Sequence, residues 1–186
     1  MGTSLSNNFR FLSQSFLGMV LFGAPGLSSI RKNYYRRTFN MGPKCTIGSG
    51  VIFAASHDPS PDSVHIGEHV HIAGNVFIDY SGGLTIGNDV SIGRQSMIYT
   101  HRHMRHTARV LMDEGVRIVR EDADNQKTPL TIEDGAFIAV RSIIMPGVSY
   151  IGKNAVVSAG SVVTKSVPDN TIVAGNPAQI VFQKKK

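Results

Sequence analysis

The sequence predicts an all-β solenoid of six-residue repeats. Three observations carry that prediction: a β-branched residue recurs at every sixth position, the residue after it is usually small or turn-forming, and the few breaks in the period are either very short or strongly polar. The aliphatic series runs through Ile66, Ile72 and Ile78, then Ile86, Ile92 and Ile98, then Ile132, Ile138 and Ile144, then Ile151, Val157 and Val163. Gly67, Ala73, Asp79, Gly87, Gly93, Ala139, Gly152 and Ser158 follow its members directly, and compact residues such as Val70, Val76, Ser96, Ser142, Ala155 and Ser161 stand four positions after them. Three such hexads close one triangular coil. The aliphatic side chain fills the interior, the small residue turns the corner, and each coil buries the face of the next. A β-sandwich would instead place an apolar residue at every second site, which this pattern does not do.

The breaks locate the parts that leave the prism, because insertions in a solenoid map to loops. Tyr80 to Gly83 lengthens one coil by two residues and Ser149-Tyr150 lengthens another by one. The large break runs from Met104 to Pro129 and is rich in charge (Arg109, Asp113, Glu114, Arg117, Arg120, Glu121, Asp122, Asp124). A loop of that length in a compact domain is usually functional. The domain organisation read this way is a basic, partly helical segment over residues 1–42, the repeat domain over 43–181 with its extended loop at 104–129, and a basic tail over 182–186. Within the first segment, Asn8 to about Leu21 can form an amphipathic helix with Phe9, Phe16 and Val20 on one side.

A chain of 186 residues with 41% hydrophobic content supports one sizeable domain plus an appendage. The single cysteine, Cys45, excludes an internal disulfide and a cysteine-based zinc site, and fits a reducing compartment, with the cytoplasm as the expected location. The apolar run from Phe16 to Leu27 is interrupted by Gly18, Gly23, Pro25 and Gly26, which argues against both a secretion signal and a membrane span. The net charge of +6 is unevenly placed, since Arg10, Arg31, Lys32, Arg36, Arg37 and Lys44 all precede the first carboxylate, Asp58. Two readings of this segment stand side by side. It caps the open first coil around Ile47 and Val51, or it makes a peripheral contact through residues 8–40 with an anionic membrane surface, using Arg31, Lys32, Arg36 and Arg37. A nucleic-acid partner is not expected.

Four features together resemble the hexapeptide-repeat O-acetyltransferases, in the branch that holds the maltose, galactoside, xenobiotic and surface-polysaccharide enzymes. They are the repeat, the string Ile98-Tyr99-Thr100-His101-Arg102-His103 at a coil end, the long loop directly after it, and the C-terminal strings Ala159-Gly160-Ser161-Val162-Val163-Thr164-Lys165 and Ala174-Gly175-Asn176-Pro177-Ala178. The resemblance spans residues 43–181 and implies a left-handed parallel β-helix, a homotrimer with active sites in the clefts between subunits, and acetyl-CoA as donor. No metal is expected.

An alcohol that attacks a thioester loses its proton as the C–O bond forms, and a neutral imidazole suits that task. His101 and His103 compete for it. Laying Ile98-Tyr99-Thr100 without a gap on the maltose-acetyltransferase pattern favours His103. Asp79, one coil below, is expected to orient the acceptor or the imidazole, or else merely to turn a corner. Tyr80 and Arg102 are further acceptor candidates, with His106 and Arg109 at the start of the loop. His65, His69 and His71 read as solvated surface. For the cofactor, Ala139, Ala159 and Gly160 are small enough to admit pantetheine against backbone. Ser161 belongs to the same string, Lys165 and the tail Lys184 to Lys186 suit CoA phosphates, and Asn176, Pro177 and Ala178 are implied beside the adenine. The acceptor implied is a sugar hydroxyl of a surface polysaccharide or its precursor, with a xenobiotic or free sugar as the alternative. A γ-type carbonic anhydrase with three zinc-binding histidines and a non-catalytic trimer are the competing classes on this scaffold.

Overall fold

The computed structural model describes residues 28–55, 63–102, 107–111, 117–121 and 127–184. Their strands stack into the three faces of a left-handed parallel β-helix. One face holds β1 (Asn40–Met41), β4 (Val64–Ile66), β7 (Leu84–Ile86), β12 (Leu130–Ile132) and β15 (Tyr150–Ile151). The second holds β2 (Thr46–Ile47), β5 (His71–Ile72), β8 (Ser91–Ile92), β13 (Phe137–Ile138), β16 (Val156–Val157), β18 (Thr171–Gly175) and β19 (Ala178–Gln183). The third holds β3 (Ile52–Ala54), β6 (Phe77–Asp79), β9 (Met97–Ile98), β14 (Ile143–Ile144) and β17 (Val162–Val163).

The six-residue period becomes a set of ladders. Ile66, Ile86, Ile132 and Ile151 pair in succession on the first face. Ile47, Ile72, Ile92, Ile138, Val157 and Val173 do so on the second. Ile78, Ile98, Ile144 and Val163 form the third. All of these side chains are buried, so each coil from Val64 to Val163 contributes one aliphatic group per face to a continuous column. The corners explain the small residues: a Cβ on Gly67 would lie 2.7 Å from the carbonyl oxygen of Gly87, one coil away. The turn that follows is left-handed, and His69 and Asp89 occupy it with φ of 55° each, so His69 has a backbone role and an exposed side chain.

The first coil starts at Asn40, where β1 pairs with β4, slightly ahead of the boundary expected at residue 43. Helix α1 (Ser28–Thr38) lies across this open end. Tyr35 and Phe39 turn inward, and the Tyr35 hydroxyl donates to the Val51 carbonyl at 2.7 Å, which keeps the buried phenol satisfied. The Phe39 ring packs 4.5 Å from Phe53 and edge-on to Tyr80 at 5.6 Å. Arg31, expected among the membrane-facing cations, is instead buried and donates to Ser49 Oγ at 2.9 Å, while Lys32, Arg36 and Arg37 point outward. The helix expected over Asn8 to Leu21 lies outside the described residues. At the other end the sixth coil is partial, and β19 turns back antiparallel on β18, carrying the strand pairing two residues past the expected limit of 181.

The long charged break is not all loop. Within it, β10 (Thr107–Leu111) and β11 (Arg117–Glu121) form an antiparallel hairpin, an arm leaving the prism between β9 and β12. Because Phe39 plugs the open end against three other aromatic rings, Phe39→Ala is expected to cost about 3 kcal/mol of unfolding free energy. Urea denaturation with an unchanged m-value is the measurement.

Candidate active site

The two main departures from the period meet in space. The extra residues at Tyr80 to Gly83 bulge from the corner after β6, and the root of the arm sits over them. The Thr128 amide donates to the Thr100 carbonyl at 2.8 Å, and His101 bridges to Lys127. Gly82 lies between these parts. A Cβ there would come within 2.4 Å of the Thr100 oxygen, so only glycine permits the approach.

Asp79 and His101 form the centre of this junction. Both are buried, and His101 Nδ1 lies 2.5 Å from Asp79 Oδ2. A carboxylate accepts, so Nδ1 carries the proton between them and donates it to Oδ2. The same Oδ2 accepts from the Thr100 amide at 2.9 Å and the Thr100 hydroxyl at 3.1 Å. Oδ1 accepts from the Ser81 hydroxyl at 2.5 Å and the Ser81 amide at 3.2 Å. Burial pushes the Asp79 carboxyl up, but the donors from Ser81, His101 and Thr100 together outweigh it and hold the group below the usual carboxylate value. An ionised aspartate that fixes the tautomer of a histidine is the arrangement a general base requires.

The other residues singled out from the sequence fall in several places. His103 lies outside the described residues, as do His106 and Lys185 to Lys186. Arg102 is exposed beside His101. Tyr80, expected near the acceptor, is 1% exposed and packs edge-on against Phe39, so its ring belongs to the core. Ser161 is likewise buried, and its hydroxyl accepts from the Gly175 amide at 3.2 Å, so it ties the last turns together and is not a surface contact.

Ala139 is half-buried, and its carbonyl accepts from the hydroxyls of Ser96 and Ser142. Ala159 and Gly160 are exposed at a corner, where no atom lies within 4 Å of a Cβ built on Gly160. Lys165 and Ala178 line one cleft, with Val167, Pro168, Val173 and Ile180, between the last coil and β19. Asn176 and Pro177 are exposed at the tip of the β18–β19 turn. Histidines 65, 69 and 71 lie on the surface as expected, and among the described residues no group of three or more His, Cys, Asp or Glu side chains converges. No described helix is long and apolar enough to cross a membrane.

Ser81 and Thr100 were not apparent as site residues in the sequence, because the repeat says nothing about how an insertion folds back. The one available signal was the Asp-x-Ser spacing, which allows an Asp side chain to accept from the amide two residues on.

Comparison with known proteins agrees with the fold and the repeat. Residues 129–165 match the hexapeptide repeat of succinyl-transferase. The solved acetyl-CoA complex of a hexapeptide-repeat-containing acetyltransferase from Vibrio cholerae O1 biovar eltor superposes with a TM-score of 0.72 at 27% identity, covering 100% of this chain and 93% of that one. In fold and repeat the chain is similar to the hexapeptide-repeat acetyltransferases. Galactoside O-acetyltransferase of Escherichia coli strain K12 is 32% identical over 62% of this chain and 54% of its own length. A protein of the same strain that bears, provisionally, the name lipopolysaccharide biosynthesis O-acetyl transferase WbbJ is 30% identical over 72% of this chain and 61% of its own. The chain thus spans little more than half the length of the curated relatives it matches.

The depressed Asp79 carboxyl makes a pH prediction. Its folded value lies below the unfolded one, so its contribution to stability is present above the unfolded value of about 4 and is lost as the pH falls through the folded value. Asp79→Asn is expected to lower stability by about 3 kcal/mol at pH 7, since it leaves buried donors facing an amide. In denaturant titrations the gap to the unmodified protein is expected to narrow steadily below about pH 4.

Proposed function

We propose that this protein is an acetyl-CoA-dependent O-acetyltransferase acting on a sugar hydroxyl, with His101 as its general base. The observation that carries this reading is the buried Asp79–His101 pair at the root of the inserted arm, on a scaffold whose similar solved structure from Vibrio cholerae is complexed with acetyl-CoA. The gapless alignment favours His103. His101 is preferred because it has an ionised carboxylate on Nδ1 to set its tautomer. In the reaction, His101 Nε2 takes the proton of the acceptor hydroxyl as its oxygen attacks the thioester carbonyl carbon. The tetrahedral adduct then collapses with cleavage of the C–S bond, and the imidazolium returns the proton to the departing CoA thiolate. Asp79 stabilises the transient imidazolium and keeps its own negative charge throughout.

For the cofactor, the open corner at Ala159 and Gly160 admits backbone contacts to the pantetheine arm, and Lys165 in the cleft beside Ala178 supplies a cation for the CoA phosphates. Assembly as a homotrimer accounts for the apolar groups left outside the prism, among them Met97, Phe137, Val140 and Met145. The resemblance to the galactoside and lipopolysaccharide-biosynthesis proteins favours a glycan or its precursor as acceptor over a xenobiotic. An anionic membrane surface is the second partner in this reading. The exposed side of α1 presents Lys32, Arg36 and Arg37 with no acid in the helix, while the buried side caps the prism, so capping and membrane contact coexist.

Two measurements test these assignments. In a thiol-release assay with acetyl-CoA, His101→Ala is expected to lower kcat by about 10²-fold with KM for acetyl-CoA near its original value, and His103→Ala to do less. The opposite order would return the base to His103. In co-sedimentation with vesicles containing anionic lipid at low salt, the intact protein is expected to bind. Changing Lys32, Arg36 and Arg37 to Gln is expected to release it, since each cation near such a leaflet contributes about 1 kcal/mol. Absence of binding by the intact protein, or equal binding by the variant, leaves α1 as a cap alone.

A further inference from the structure

We infer that Ser81 is a positioning residue: with Thr100 it pins the Asp79 carboxylate so that Oδ2 stays directed at His101 Nδ1. The inference rests on the reading of His101 as the base, and it adds a residue outside the repeat pattern to that machinery. A carboxylate held at one oxygen can still swing about its terminal torsion, which is broad and soft. Here the two oxygens are held by different neighbours. Thr100 and His101 occupy Oδ2, and among the described residues Ser81 supplies both donors at Oδ1. Its hydroxyl is the closer of those two, at 2.5 Å against 3.2 Å for its amide.

Location makes the hydroxyl hard to replace. Ser81 and Asp79 are each 2% exposed, so bulk water does not reach Oδ1 when the hydroxyl is removed. The bulge that contains Ser81 is itself fixed. The Gly83 amide donates to the Tyr80 carbonyl at 2.9 Å, and the Gly82 amide donates to Thr100 Oγ1 at 2.8 Å. Thr100 therefore ties the bulge and the carboxylate to the strand end that carries His101. The chain from Ser81 through Asp79 to His101 is continuous, and each link is a charge-assisted hydrogen bond or leads directly to one.

The test compares Ser81→Ala and Ser81→Thr with the unmodified protein in two readouts. The first is steady-state acetyl transfer. Ser81→Ala is expected to lower kcat about 10-fold with KM for acetyl-CoA unchanged, the size of one lost hydrogen bond to a charged group, and Ser81→Thr to recover most of it. The second is the 15N spectrum of the His101 ring, which reports the tautomer without any turnover. The unmodified protein is expected to show one Nδ1–H form, and Ser81→Ala a mixture. If Ser81→Ala fails to fold, Ser81→Cys keeps the side chain's size while weakening the donor, and the same comparison is made with it.

A substituted protein with unchanged kcat and a single Nδ1–H tautomer overturns the inference. So does a loss of turnover with the tautomer intact, since Ser81 would then act by another route. An unmodified protein that transfers no acetyl group refutes the enzyme reading alone, and the ring spectrum still decides whether Ser81 holds the pair.

Discussion

Every part of this structure depends on equal coil length. Parallel strands on three faces stay in hydrogen-bonding register only if each coil spends the same number of residues returning to its start, and the aliphatic ladders enforce that by stacking like on like. A residue added to a coil cannot be absorbed by sliding, because a slip would carry the interior side chains to the outside. It must leave the prism at a corner. The bulge at Tyr80 to Gly83 and the arm inserted between β9 and β12 are therefore the places where side chains are released from the repeat and become available for chemistry.

That constraint explains how Asp79 can be both a corner residue and a member of the site. Its position in the hexad is the small, turn-forming one, and at most other corners glycine or alanine fills it. Here the bulge opens room for a carboxylate and at the same time delivers Ser81 to offset the cost of burying it. The pair Asp79 and His101 lies on adjacent coils, so its geometry is set by the spacing between stacked strands as well as by the two side chains. Packing and the geometry of this pair share one scaffold dimension.

The fold was legible in the sequence because the repeat is a direct image of the stacking: each Ile or Val in the series occupies the interior, and the glycines that follow stand where a Cβ would collide. The site was legible only in part. His101 and Asp79 were visible as residue types at suggestive places, but the repeat carries no information on the contact between their side chains. Arg31 was read with the basic cluster as a solvated cation, whereas the corner at Ser49 accepts its guanidinium, and the repeat gave no sign that Tyr80 packs edge-on to Phe39.

The reversed strand at the C-terminal end has a consequence for the molecule as a material. A stack of identical parallel coils has translational symmetry along its axis, and nothing in the repeat itself says where growth should stop; a second molecule could continue the column and make a fibre. By running antiparallel on β18, β19 breaks that symmetry on one face, so a following coil no longer finds three parallel edges in register. With the aromatic plug at the opposite end, the column is finite in both directions. Termination is thus encoded separately from propagation, in a few residues that do not obey the repeat.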